Sequence, residues 1–303
     1  MAVKTLAPEE MRSLPTVQLL EEINYKRLSL LKSIGADDLR KEMVPTGLVC
    51  RALVAWICRE KDDSKLRAKA AKLLKFLAPA DLMAPFPGDD CAVVAGFNHP
   101  SLGEIFRLIY LGFEKYPERE FLFPVNIPWY EALTPAIPNL DRLGIKITPM
   151  ITPSTDRKLN AKFADNEARL TDVRQYKVAF ERRYMRAAIE SSKKQGIIFV
   201  APSATRQQTV FADEAAARGD GRIYPTMTLL AHMVLKKPED RAVFLPVAIF
   251  APKRNNRKLN LFKTYGICPC EPFPAEETRQ LSSTDRGFDY AFLRRIEDRI
   301  KGE

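Results

Sequence analysis

Histidine is the scarcest reactive residue of this chain, with only His99 and His232 among 303 residues. Cysteine is thin as well. Cys50, Cys58, Cys91, Cys268 and Cys270 follow no disulfide or zinc spacing, and Cys268-Pro-Cys270 has neither a second pair nor a His close by in sequence. They read as reduced thiols of a cytosolic-type compartment, and neither a metal nor a bound cofactor is expected. Long apolar runs are missing too. Leu48–Cys58 is short and carries Arg51, so no membrane-spanning segment is expected. The first residues, with Glu9 and Glu10, resemble neither a signal nor a transit peptide. No Gly-rich linker, internal repeat or low-complexity tract is visible. A nucleic-acid partner is set aside, since there is no recognised motif and no interleaving of basic and aromatic residues.

What is present is the composition of a globular chain with a sizeable core, 46% hydrophobic and 28% charged. The net charge of +10 favours acidic partners: phosphorylated substrates, an acidic carrier protein or an anionic membrane surface. The expected location is cytoplasmic, with a peripheral seat on a membrane left open.

Residues 1–85 read as helix. Thr16–Ile34 carries leucines and Ile23 at helical intervals before Gly35, Pro45 opens a second helix to about Glu60, and Ser64 is placed to cap a third. In that third helix leucines face one way and lysines the other, a pattern shared by a helix on an anionic surface and by the solvated outside of a bundle. Prolines thicken at Pro79, Pro85 and Pro87, which places a domain boundary there. Residues 86–303 then alternate strand-like and helical runs, the pattern of an α/β domain with a mixed sheet flanked by helices. Expected strands are Ala92–Phe97, Glu120–Pro124, Ile145–Met150, Ile197–Ala201, Ala242–Phe250 and Tyr265–Cys268. Helices are expected over Phe180–Lys194 and Asp285–Lys301, and loops over the proline-crowded Pro124–Pro153.

Four segments carry chemistry. In Ala92–Tyr110 an apolar run passes through Gly96 and Phe97 to His99, and a helix starting near Ser101 would hold Glu104 in its first turn. A carboxylate there suits the positive end of the helix dipole and can hold a His tautomer. That is the base and orienter of a catalytic unit. In Ile197–Gln207 a strand runs into Pro202, Ser203, Ala204, Thr205 and Arg206. Small residues admit a ligand close to the backbone, and an Arg grips a phosphate with paired hydrogen bonds. Pro246 interrupts the buried strand Val243–Ile249 and calls for an edge, a bulge or a special turn. Gly221–Leu230 is an aromatic–proline turn opening a helix, in which His232 reads as a packed side chain. Taken singly, each segment also reads as ordinary structure: a capped helix, a turn with a solvent-facing Arg.

In order, NHPSLGE, APSATR and FLPVAI resemble the blocks of the glycerolipid acyltransferase superfamily, whose signature is His-x4-Asp, then a Pro-containing loop ending in Arg, then a Pro strand. The chain looks most like the soluble plastid-type glycerol-3-phosphate acyltransferases, which have an Ala-Pro-Ser-Gly-Gly-Arg loop, a Tyr-Pro segment and a helical bundle in front. Glu104 stands where the family has Asp. Gln207 and Gln208 follow Arg206 where the plastid type has a second Arg. Arg157 and Lys158 match the family's other basic pair loosely. The resemblance implies that His99 and Glu104 are catalytic, that Arg206, Arg157 and Lys158 bind a phosphate, and that Pro202, Ser203 and Thr205 line the substrate loop. The implied reaction moves a fatty acyl group from an acyl carrier protein or coenzyme A thioester to glycerol 3-phosphate in phospholipid biosynthesis. The alternatives are a lysophospholipid or other lipid-linked hydroxyl as acceptor, and a non-catalytic module that binds lipid or carrier.

Overall fold

The computed structural model describes residues 36, 39, 44–84, 90–99, 103–202, 226–237, 240–251, 262–280 and 287–302. The helix expected over Thr16–Ile34 lies outside them, as do Ser203, Thr205, Arg206 and the turn 221–225. The chain divides into two compact units, one drawn from Met1–Lys61 and Phe123–Ala187, the other from Asp62–Leu122 and Ala188–Glu303.

The described elements run α1 (Val44–Ile57), α2 (Asp63–Leu77), β1 (Ala80–Leu82), β2 (Ala92–Phe97), α3 (Glu104–Lys115), β3 (Phe121–Asn126), α4 (Ile127–Leu133), a 3-10 turn (Thr134–Ala136), α5 (Ile137–Arg142) and β4 (Ile145–Met150). They continue with α6 (Pro153–Lys162), α7 (Glu167–Lys193), β5 (Ile197–Val200), α8 (Thr226–Val234), β6 (Ala242–Phe250), β7 (Tyr265–Pro269), α9 (Ala275–Arg279) and α10 (Gly287–Lys301). All six expected strands are present. The strand β1 was not expected: it lies within the stretch read as helix, and its three residues are held by parallel pairing of Ala80 to Tyr265 and Leu82 to Ile267. The second expected helix ends at Ile57, and α2 begins at Asp63, so Ser64 sits inside its first turn rather than ahead of it.

The sheet has seven strands among the described residues, in the order β1-β7-β6-β2-β5-β3-β4. Strands β5 and β6 flank β2 in parallel, β3 pairs parallel to β5, and β7 runs antiparallel to β6, so the sheet is mixed. Every residue of β2 and of β5 is buried. A strand covered on both faces has no polar side to alternate with, which is why AVVAGF and IIFV read as continuous apolar runs. Phe97, Phe113, Phe121 and Phe199 form one aromatic cluster of the second unit. A second joins Phe244, Phe273, Phe288 and Phe292. Gly96 admits the latter cluster, because a Cβ there would lie 2.4 Å from the Phe292 ring.

The proline-crowded stretch is not loop. Prolines occupy the first turns of α4, the 3-10 turn and α5, where a missing N–H costs nothing and the fixed φ suits the helix. Helix α7 extends well ahead of Phe180 because Glu167–Lys193 contains neither Gly nor Pro. It stops where Gln195 turns left-handed at φ 55. The Gln195 and Gly196 N–H groups cap the Ser192 and Ser191 carbonyls at 3.0 and 2.8 Å. Pro246 is interior rather than at an edge, lying between β2 and β7 opposite Gly96. Its carbonyl accepts the Cys270 N–H at 2.8 Å. Beyond that bond the register slips by one residue, from the pair Val247–Pro269 to the bridge Phe244–Phe273, so Glu271 and Pro272 together face Leu245. The proline thus accompanies a bulge, at the point where the antiparallel ladder is already broken.

Candidate active site

The site is built on the exit of β2, the middle strand of the seven, which has the parallel neighbours β5 and β6. In such sheets the crevice beyond the carboxyl ends of the strands, where connections leave in opposite directions, is where ligands bind. Asn98 follows β2 and is fully buried. Its Nδ2–H donates to the Ile249 carbonyl at 2.9 Å, and its Oδ1 accepts the Ile249 N–H at 2.7 Å. The side-chain amide therefore extends the β2–β6 pairing by one step and fixes the backbone on which His99 stands.

The His99 side chain is 20% exposed, while Glu104 has no exposed surface. His99 Nδ1 is hydrogen-bonded to Glu104 Oε1. Glu104 is the first residue of α3, following the N-cap Gly103, so its carboxylate faces the positive end of that helix. Since a carboxylate only accepts, the bond places the neutral imidazole's proton on Nδ1 and its lone pair on Nε2. The arrangement can take a proton from a hydroxyl at Nε2 while Glu104 supports the imidazolium that forms.

Arg107, one turn beyond Glu104 on α3, is fully buried and was not singled out in the sequence. It donates from Nη1 to the Gly103 carbonyl and from Nη2 to the Lys263 carbonyl, each at 2.6 Å. Its guanidinium lies 3.6 Å from the centre of the Tyr265 ring. Burial draws the Arg107 group down to about 10, against the upward pull of Tyr265 and Glu104. It remains a cation at neutral pH beside the buried Glu104. The legible signal was its spacing, three residues after Glu104 in an otherwise apolar helical run, which sets the two on one face.

Strand β5 ends with Val200 opposite Gly96 of the parallel β2, so the residues after both strands leave the sheet at one end. Pro202, buried, begins the expected substrate loop there. Ser203, Thr205 and Arg206 lie outside the described residues. Arg157 and Lys158 belong to the other unit, both exposed on α6. The structure thus brings His99 and Glu104 together and adds Asn98 and Arg107 around them. His232 is half-buried in α8. Among the described residues no group of three or more His, Cys, Asp or Glu is gathered as a metal ion would require. No helix among them is long and apolar enough to cross a membrane. Neither a model of a known protein family nor any curated protein matches the chain.

Proposed function

We propose that the chain is an acyltransferase of the glycerolipid type, moving a fatty acyl group from a thioester to the hydroxyl of glycerol 3-phosphate. One observation carries the reading: a fully buried carboxylate, Glu104, holds Nδ1 of a solvent-reachable His99 at the carboxyl end of the central strand. The acceptor oxygen attacks the thioester carbon as His99 Nε2 takes its proton. A C–O bond forms, the tetrahedral intermediate collapses with loss of the C–S bond, and the proton passes from Nε2 to the departing thiolate. Glu104 holds the ring in register and stabilises the imidazolium. No nucleophilic Ser or Cys is needed, because the acceptor attacks directly. Arg206 binds the acceptor phosphate and sets the hydroxyl against the carbonyl carbon. The thioester carrier is an acyl carrier protein or coenzyme A, both acidic and both suited to a chain of charge +10.

The test is thioester consumption with glycerol 3-phosphate and, separately, lysophosphatidate as acceptors. With glycerol 3-phosphate, His99→Ala and Glu104→Gln are expected to lower kcat by about 10²–10⁴-fold. Arg206→Ala is expected mainly to raise the acceptor KM. Turnover with lysophosphatidate alone would move the acceptor to a lipid-linked hydroxyl. No turnover with any thioester, or turnover indifferent to His99→Ala, would sink the catalytic reading in favour of a lipid- or carrier-binding module.

A further inference from the structure

Among the described residues of the unit formed by Asp62–Leu122 and Ala188–Glu303, the most exposed large apolar side chains are Phe76 at 69%, Phe262 at 62% and Met83 at 58%. Phe76 and Phe262 are not scattered. Their ring centres lie 5.4 Å apart in an edge-to-face contact, although their positions are 186 residues apart in sequence. Both are held outward by fixed structure. Helix α2 packs inward through Leu66, Ala70 and Leu74, which turns Lys65, Ala68, Lys72, Lys75 and Phe76 to solvent on one face. Phe262 donates its N–H to the Leu77 carbonyl at 2.7 Å, and its φ of 64 is a left-handed conformation that a bulky side chain keeps only when its surroundings impose it. The next residue, Lys263, is exposed, and its carbonyl is gripped by the buried Arg107.

The charge along this stretch is predominantly positive. From Lys65 to Leu82 the chain carries Lys65, Arg67, Lys69, Lys72 and Lys75 against the single acid Asp81. The position is also defined. Strand β7 runs antiparallel to β6, with Phe250 opposite Gly266, so Phe262 precedes β7 at the end of the sheet where β2 delivers His99. Arg107 joins the two places directly, with one hand on Gly103 and the other on Lys263.

We propose that this corner is a docking surface for an anionic lipid bilayer. Phe76 and Phe262 enter the boundary between headgroups and acyl chains, and Lys72, Lys75 and Lys263 meet lipid phosphates. A bilayer fits better than an acidic protein. Protein interfaces concentrate apolar anchors in packed pockets, whereas these rings project from a helix end and a turn with cations behind them, and a fluid interface accepts them without matching their shape. The docking turns the His99 end of the sheet toward the membrane. It stands on the surface alone and not on the proposed chemistry.

The experiment is co-sedimentation of the full chain with phosphatidylcholine vesicles, with and without phosphatidylglycerol. Binding is expected only with phosphatidylglycerol and should weaken as salt is raised. The double variants Phe76→Ser/Phe262→Ser and Lys72→Glu/Lys75→Glu should each lose at least about tenfold in affinity, with the melting temperature unchanged. His99→Ala should bind as wild type does, which separates this result from any failure of the catalytic reading. Absence of binding to anionic vesicles, or binding indifferent to both double variants, would overturn the proposal. Capture by an acidic carrier protein that both variants abolish, without vesicle binding, would reassign the surface and overturn it equally.

Discussion

Arg107 ties two distant segments of the chain together beside His99 and Glu104. Its two carbonyl partners lie on either side of it in the chain, Gly103 at the start of α3 and Lys263 ahead of β7, and the Tyr265 ring covers its face. Removing a buried cation that stands beside a buried carboxylate leaves an uncompensated charge, so Arg107→Met should cost about 3 kcal/mol of stability. Arg107→Lys keeps the charge but not the planar fork that reaches two carbonyls, and should fall between the two. Urea unfolding of the three proteins checks the order, and a Lys variant no better than Met would show that charge is not the operative term. Glu104 and His99 were legible because a rare residue stood where an apolar run ended, with a carboxylate five positions on. Arg107 was legible only as a charge spaced three residues after Glu104, and its partner was not, since nothing local says that an Arg in an apolar helix will face a carbonyl 156 residues away; Asn98 carried no signal.

At the scale of elements, α8 and α10 are tied through Asp289, which is fully buried. The Asp289 carboxylate accepts the Met227 N–H at 2.8 Å and the Thr228 N–H at 3.4 Å, together with the Thr228 hydroxyl. It is a helix cap supplied from a distant helix rather than from the preceding residue. Asp289→Ala should cost about 2 kcal/mol, since it strands buried donors. Burial pushes the Asp289 carboxyl above the ordinary carboxylate range, although the Thr228 hydroxyl and the two amides pull it down. The folded state therefore holds this proton more firmly than the unfolded chain does. The contribution is fully present below the unfolded carboxylate pKa of about 3.9 and is lost as pH rises through the raised folded value. Relative to Asp289→Asn, the wild-type protein should lose stability from about pH 4 upward; a gain over that window, in paired denaturation curves, would reverse the assignment. The strands themselves were readable from continuous apolar runs. The interior placement of β6 was not, because proline left an edge, a bulge and a special turn all open, and only the register with β7 selects the bulge.

For the whole molecule, the five thiols report on burial. Cys50, Cys91 and Cys268 are buried, and Cys58 and Cys270 are half-buried. Burial pushes the Cys50 and Cys270 thiols up to about 11. At pH 8 such a thiol is only about one part in a thousand thiolate, the form that reacts. Cys58, whose Sγ–H donates to the Asn139 carbonyl, should thus be the first alkylated in the native protein. The other four should label together on unfolding, and peptide mapping after a brief iodoacetamide pulse measures the order. Early labelling of Cys50 or Cys91 would mean that their surroundings open without global unfolding.

By itself the chain determined whatever is written in local pattern. The α/β alternation, six strands and the His99–Glu104 pairing across one turn all follow from side-chain periodicity and from the reach of a helix's first turn. Tertiary structure alone decided what joins distant segments. It brought Asn98 against β6, Arg107 between α3 and the turn before β7, Asp289 beneath α8, and Phe76 beside Phe262. Those contacts depend on the order and register of the strands, which are set by how the whole core packs and leave no periodic trace in any single stretch of sequence.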